Sequence, residues 1–190
     1  MEDLHPGAAL PRDLFNADAV LVARRLVGTW LQVGPTGGIV VETEAYRQDD
    51  QASHSFRGET ARNRAMFGPP AHAYVYRSYG LHWCFNIVCL RGSAVLVRAL
   101  MPVLGVDIMR DRRGLEDIRR LCSGPGKLCA ALGIDPGLDR QPIDRPPILV
   151  AEGLADVETV AGPRIGITRD VDRAWRFGLA ESRFLSRAFR

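Results

Sequence analysis

Residues 73–77 and 82–89 are two runs of apolar and aromatic residues separated by a tip, Ser78-Tyr79-Gly80, that is short enough to force the chain straight back on itself. An antiparallel hairpin is therefore the fixed point of any fold for this chain. A second pair, over 30–33 and 38–46, is joined by Gly34-Pro35-Thr36-Gly37, and a further apolar strand over 95–101 ends at Pro102. Short strands follow at 148–150, 157–160 and 165–167. Helical patterns lie between them. Asn16 or Asp18 caps a helix running to about Leu26, with Ala19, Leu21, Val22 and Leu26 as its apolar stripe and Gly28 as its stop. Helical periodicity returns over 103–112 and 115–121, and Ser123-Gly124-Pro125 reads as a helix start with Ser123 as cap, leading into 128–132 and the stop Gly133. Strands in hairpins with helices set to the side predict an α+β chain: a single domain over residues 1–190, a curved, mixed but mostly antiparallel sheet, a protruding hairpin and flanking helices. Residues 1–12, polar and punctuated by Pro and Gly, are expected to form a flexible N-terminal arm.

A chain of 190 residues can bury one substantial core without disulfides or metals. No apolar stretch approaches the ~20 residues a bilayer span requires, and the N-terminus lacks the basic and apolar regions of a secretory signal. An intracellular, reducing compartment, cytoplasm or nucleoid, is the expectation. Cys84, Cys89, Cys122 and Cys129, spaced C-x4-C and C-x6-C, match neither a zinc ribbon nor a thioredoxin pair, and no histidine accompanies them at ligand spacing. They read as buried small hydrophobes, so no metal or cofactor is expected. Phosphate-binding glycine loops and metalloprotease or cysteine-nucleophile signatures are absent from the sequence.

The overall charge is only +3, yet between residues 51 and 98 six arginines stand against the single acid Glu59. Phe56, Phe67, Tyr74, Tyr76, Tyr79, Trp83 and Phe85 fall in the same window. Cations interleaved with rings suit a polyanion that carries stackable bases, and they equally suit a core hairpin edged with solvated arginines. In the strand over 38–46 the period of two puts Glu42, Glu44 and Tyr46 on one face, and Val41, Thr43 and Ala45 on the other. Glu44 can act as general base toward water if that face meets a pocket, or it can be a solvated strand residue. His54 lies in a long loop, and Tyr74 and Tyr76 flank Val75, offering a stacking platform or a core ladder. Tyr79, at the hairpin tip beside Gly80, is placed to act as a wedge between base steps. Asn86 and Arg98 interrupt apolar strands, so each needs buried partners or a ligand. Lys127 is the only lysine, and its position at a helix start suits a phosphate contact better than Schiff-base chemistry.

These residues fall into ordered blocks: Val41-Glu-Thr-Glu-Ala-Tyr46, Ser53-His54-Ser55, Arg62-Asn63-Arg64-Ala65-Met66-Phe67, Tyr74-Val-Tyr76, Tyr79-Gly80, Phe85-Asn86-Ile87, Val97-Arg98-Ala99-Leu100 and Cys122-Ser-Gly-Pro-Gly-Lys-Leu-Cys129. In that order, over residues 10–178, the chain resembles the alkyladenine (3-methyladenine) DNA glycosylase family. The resemblance implies a metal-free, monofunctional enzyme of base excision repair, without lyase activity, that flips alkylated or deaminated purines out of double-stranded DNA and hydrolyses the N-glycosidic bond. It implies Glu44 as the base that activates water, with Tyr46, His54, Tyr76, Asn86 and Arg98 forming the base pocket, and Tyr79 as the intercalating wedge. Arg64, Ser123 and Lys127 are the expected contacts to the DNA backbone, and a monomer is the expected state. Where many members continue past the C-terminal Arg-Phe with an aromatic, this chain has Phe177-Gly178-Leu179. A non-catalytic protein that binds damaged DNA with the same hairpin, and a hydrolase of free nucleosides, are the rival readings.

Overall fold

A computed structural model describes residues 4–189. Its nine strands form one curled sheet, and among the described residues every strand pairing is antiparallel. The main path runs β3 (Ala73–Ser78), β4 (His82–Val88), β5 (Ala94–Leu104), β2 (Thr36–Tyr46), β1 (Trp30–Val33), β7 (Ile148–Ala151) and β6 (Asp144–Arg145). The β3–β4 pair is the expected hairpin, registered from Ala73↔Ile87 to Ser78↔His82, so the turn is Tyr79-Gly80-Leu81. Strand β2 is central. One edge lies along β5 for its whole length, while the other pairs first with β1 and then, over Glu42–Glu44, with β9 (Arg176–Leu179), which in turn carries β8 (Thr159–Gly162).

Two irregularities in the β2–β5 ladder set the face each side chain takes. Val40 pairs with Leu100 and Glu42 with Ala99, so Val41 is the extra residue on β2; Glu42 pairs with Ala99 and Thr43 with Val97, so Arg98 is the extra residue on β5. Such bulges re-aim side chains beside functional sites. The strict alternation expected for 38–46 therefore fails at Val41. That residue packs with Trp30, Ile39, Ala99 and Ala151 on the side that Glu42 shares with its partner Ala99, while Val40 and Ala45 enter the main core.

The main core lies between the sheet and helices α1 (Ala19–Leu26) and α4 (Pro125–Leu132), with α2 (Val106–Arg113) and α3 (Ile118–Leu121) beside them. Asp18 caps α1 by accepting from the Val20 N–H at 2.8 Å. Ser123 does not cap α4. That position belongs to Gly124, and the Ser123 hydroxyl instead faces Lys127. Strand β5 continues through Pro102 to Leu104, because the missing N–H falls at a register shift in the ladder. Residues 165–167, expected as a strand, form a loop against the site. Of the N-terminal arm, residues 1–3 lie outside the described ones. Gly7, Ala8 and Leu10 exchange backbone hydrogen bonds with Glu152 and Val150, which ties this part of the arm to the end of β7. All four cysteines are buried and free.

Candidate active site

Glu44 has no exposed surface, so its charge must be matched from within. Three donors do this. The Ile165 N–H donates to Oε1 at 2.7 Å, the Tyr46 hydroxyl donates to Oε2 at 2.8 Å, and Arg98 Nη1 lies 3.3 Å from Oε2. Burial pushes the Glu44 carboxyl up, and Arg98, the Ile165 amide and the Tyr46 hydroxyl pull against it. The net direction is upward, which makes this carboxylate a stronger base than a solvated one.

Glu42, one pleat away, is equally buried and fully engaged. Its Oε1 accepts from Arg98 Nε at 3.3 Å, Arg176 Nη1 at 3.0 Å and the Ser186 hydroxyl at 2.9 Å, and its Oε2 accepts from the Ser186 N–H at 2.6 Å. Two carboxylates and two guanidiniums thus form one buried cluster, with the bulged Arg98 bridging the acids.

Tyr46, Arg98 and Ile165 each present a second side to a cavity of about 640 Å³, within the usual range for a small-ligand site. Glu44 stands directly behind this wall. His54, Tyr76 and Asn86 also line the cavity, so five expected pocket residues from five separate segments face one space. The His54 and Tyr76 rings meet edge to face at 4.5 Å between centroids. The Tyr74 hydroxyl lies 2.9 Å from His54 Nδ1, fixing the ring. Partial burial and the nearby Arg62 lower the His54 pKa, so the imidazole is neutral at pH 7. Asn86 is buried, and its amide donates to the Tyr74 carbonyl at 3.0 Å.

Tyr79 lines the cavity mouth and is 87% exposed, with φ at 51° in the left-handed region; Leu81 on the other side of the tip is also exposed. Arg62 lines the mouth as well, with Arg57 and Arg77 exposed nearby in sequence. Arg64, Ser123 and Lys127 do not line the cavity. Arg64 faces Glu59, and Lys127 lies 3.4 Å from Ser123 at the start of α4, whose Pro125 does reach the cavity.

Several contributors left no local signal in the sequence. The loop that presents the Ile165 N–H is anchored by Arg164, which forms a fully buried ion pair with Asp50, donates to the Ala45 carbonyl at 2.9 Å and lies 4.7 Å above the Tyr46 ring. The partners of Glu42, Arg176 and Ser186, are equally remote along the chain. Among the described residues no group of acids, histidines and cysteines is arranged to hold a metal ion, and no helix is long and apolar enough to cross a membrane.

Residues 13–183 match the family described as methylpurine-DNA glycosylase. A protein of Nitrosospira multiformis named "Putative 3-methyladenine DNA glycosylase" is 58% identical over 179 residues, covering 93% of each chain. Proteins of the same name from Agrobacterium fabrum and Rhizobium meliloti are 54% and 56% identical, over 95% and 93% of this chain and 93% and 96% of their own.

Proposed function

Since the chain belongs to the methylpurine-DNA glycosylase family, we propose that it excises alkylated and deaminated purines from duplex DNA by a single hydrolytic displacement with Glu44 as base. The observation that carries this reading is a buried carboxylate, raised in pKa and caged by three donors, standing directly behind the wall of a cavity lined with tyrosines.

A base within the stack is unreachable, so the nucleotide must leave the helix at a cost of a few kcal/mol, smallest for damaged pairs, as the handled substrates of glycosylases require. Tyr79, standing out at the cavity mouth, is placed to fill the gap it leaves. Aromatic faces of Tyr46 and Tyr76, with His54, would recover about 1–3 kcal/mol per stacked base, and more from the cationic rings of 3-methyladenine and 7-methylguanine. Hypoxanthine and ethenoadenine are the neutral substrates of the same reading. Asn86, held rigidly in β4, would crowd the 2-amino group of normal guanine.

In the chemical step a water gives its proton to Glu44, whose Oε1 takes only the Ile165 N–H, as its oxygen bonds the sugar C1′. The C–N bond breaks and its electron pair leaves with the purine. The Glu44 charge also favours the oxocarbenium-like sugar of the transition state. The chain's only side-chain amine, on Lys127, does not line the cavity, which supports hydrolysis without a lyase step.

Single-turnover release from duplexes carrying one hypoxanthine, one ethenoadenine or one 7-methylguanine tests the proposal. Wild type should release base and Glu44→Gln should be slower by ~10²- to 10⁴-fold while still binding the duplex. Tight binding with no release by wild type would mark a damage-binding protein instead, and turnover of free nucleosides without duplex would mark a nucleosidase.

A further inference from the structure

We propose that Ser186 is a positioning residue for this site: through Glu42 it sets Arg98 against Glu44. The proposal rests on the reading of Glu44 as base, and it concerns a segment beyond the family match, which ends at residue 183.

The segment following β9 folds back over the far side of the sheet. Arg176 Nη1 and Nη2 donate to the Arg187 and Ala188 carbonyls at 3.1 and 3.3 Å, and the Arg176 guanidinium lies 3.8 Å from the Phe189 ring centroid. Phe189 packs on Gly178, where a Cβ would overlap its ring. This anchoring places Ser186 where both its N–H and its hydroxyl meet Glu42, and its Oγ also lies 3.5 Å from Arg98 Nη2. Ser186 is therefore the residue that touches both the acid and the base of the bridge.

The direction of the effect follows from counting donors. Glu42 Oε1 takes three, of which the Ser186 hydroxyl is the neutral one. Without that hydroxyl the lone pair it occupied is free to draw the Arg98 guanidinium closer, and Arg98 can move toward Glu42 only by leaving Glu44 Oε2, from which it already stands 3.3 Å. Glu44 then keeps its desolvation and loses cationic support, so its carboxyl rises further. The groups that face Glu44 are Glu42 and Tyr46 on β2, Tyr76 on β3, Cys84 on β4, Arg98 on β5 and Arg164 in the loop. Of these Arg98 alone both contacts Glu44 and is held by Ser186.

The experiment compares wild type with Ser186→Ala, Ser186→Thr and Ser182→Ala. Ser182 belongs to the same segment and touches Phe184, not Glu42. Single-turnover purine release should slow about tenfold at pH 7 in Ser186→Ala with duplex affinity within about twofold of wild type, and the acid limb of its pH profile should move to higher pH. Ser186→Thr should restore rate and limb, and Ser182→Ala should match wild type. Ser186→Cys, of similar shape with a weak donor, should show the same slow rate and displaced limb if the alanine variant does not fold. Carbon-13 NMR titration of the Glu44 carboxyl, identified by its loss in Glu44→Gln, reads the same coupling without DNA and should rise in Ser186→Ala. An unmoved titration with a wild-type rate overturns the positioning role, as does an equal slowing in Ser186→Thr or Ser182→Ala. If wild type releases no purine the reading of the activity fails, and the carboxyl titration then decides the positioning by itself.

Discussion

The Ile165 backbone N–H donates to Glu44 Oε1 at 2.7 Å across 121 residues of chain. A backbone donor carries no charge and cannot titrate, so this bond orients the carboxylate at every pH while leaving Arg98 as the cationic partner in direct contact. Ile165 also lines the cavity. The loop that orients the Glu44 carboxylate therefore also shapes the cavity in front of it, and a change in one is felt in the other.

The rate of base release should rise with pH along a limb set by Glu44. Its carboxyl lies above the ordinary value of 4.5, chiefly through burial, and only the ionised form can take a proton from water. The folded chain binds this proton more tightly than the unfolded one, so stability should fall as pH rises from about 4.5 through the folded pKa. Thermal unfolding of wild type and Glu44→Gln across this range should show the two curves separating in favour of the glutamine variant as pH rises. A separation of the opposite sign would mean that Arg98 outweighs burial.

Tyr79→Gly should separate stability from activity. Tyr79 makes little burial and sits at φ 51°, a conformation glycine adopts freely, so the melting temperature should hold or increase. On the proposed reading of Tyr79 as the group that fills the gap, release from duplex should drop by about tenfold or more. On a single-stranded substrate, which needs no gap filled, the same variant should stay near wild type.

Asp50→Ala should be among the most damaging single changes. It leaves the Arg164 guanidinium buried without its anion, at a cost of about 3–5 kcal/mol. For a chain of this size the melting temperature should fall by roughly 6–20 °C. Activity should decline beyond the loss of folded protein, since Arg164 holds the loop that presents the Ile165 N–H. A variant of normal stability and rate would show that the loop is fixed by other contacts.

What the sequence made legible follows the range of each interaction. The β3–β4 hairpin and the start of α1 are written locally, in turn and cap residues; α1 starts after the expected cap Asp18, and the hairpin turn falls one residue later than expected because Ser78 pairs with His82. The shared face of Glu42, Glu44 and Tyr46 follows from period two, because no bulge falls within 42–46 on β2 itself. The bulges at Val41 and Arg98 are products of two strands brought into register, and neither strand announces them alone. A backbone amide such as that of Ile165 has no residue signature. Glu42 was visible as a neighbour of Glu44, but its partners Arg176 and Ser186 lie 134 and 144 residues on, where only tertiary structure brings them. The Ser123 cap failed because Gly124, at φ 141°, turns the chain in a way that swings the serine hydroxyl toward Lys127.

The span between β2 and its late partners has a meaning for synthesis. Made at about 5–20 residues per second, the chain would carry Glu42 for roughly 7–30 s before Ser186 is joined to it. Until Ser186 is made Glu42 lacks donors that make its burial tolerable, and Glu44 lacks one until Ile165 is made, so the ribosome-borne chain has reason to keep this end of β2 wet. The buried acid–guanidinium cluster thus closes as one of the last acts of folding, and a nascent chain stalled before residue 165 would hold a nearly complete wall of rings with the Glu44 carboxylate short of its backbone donor.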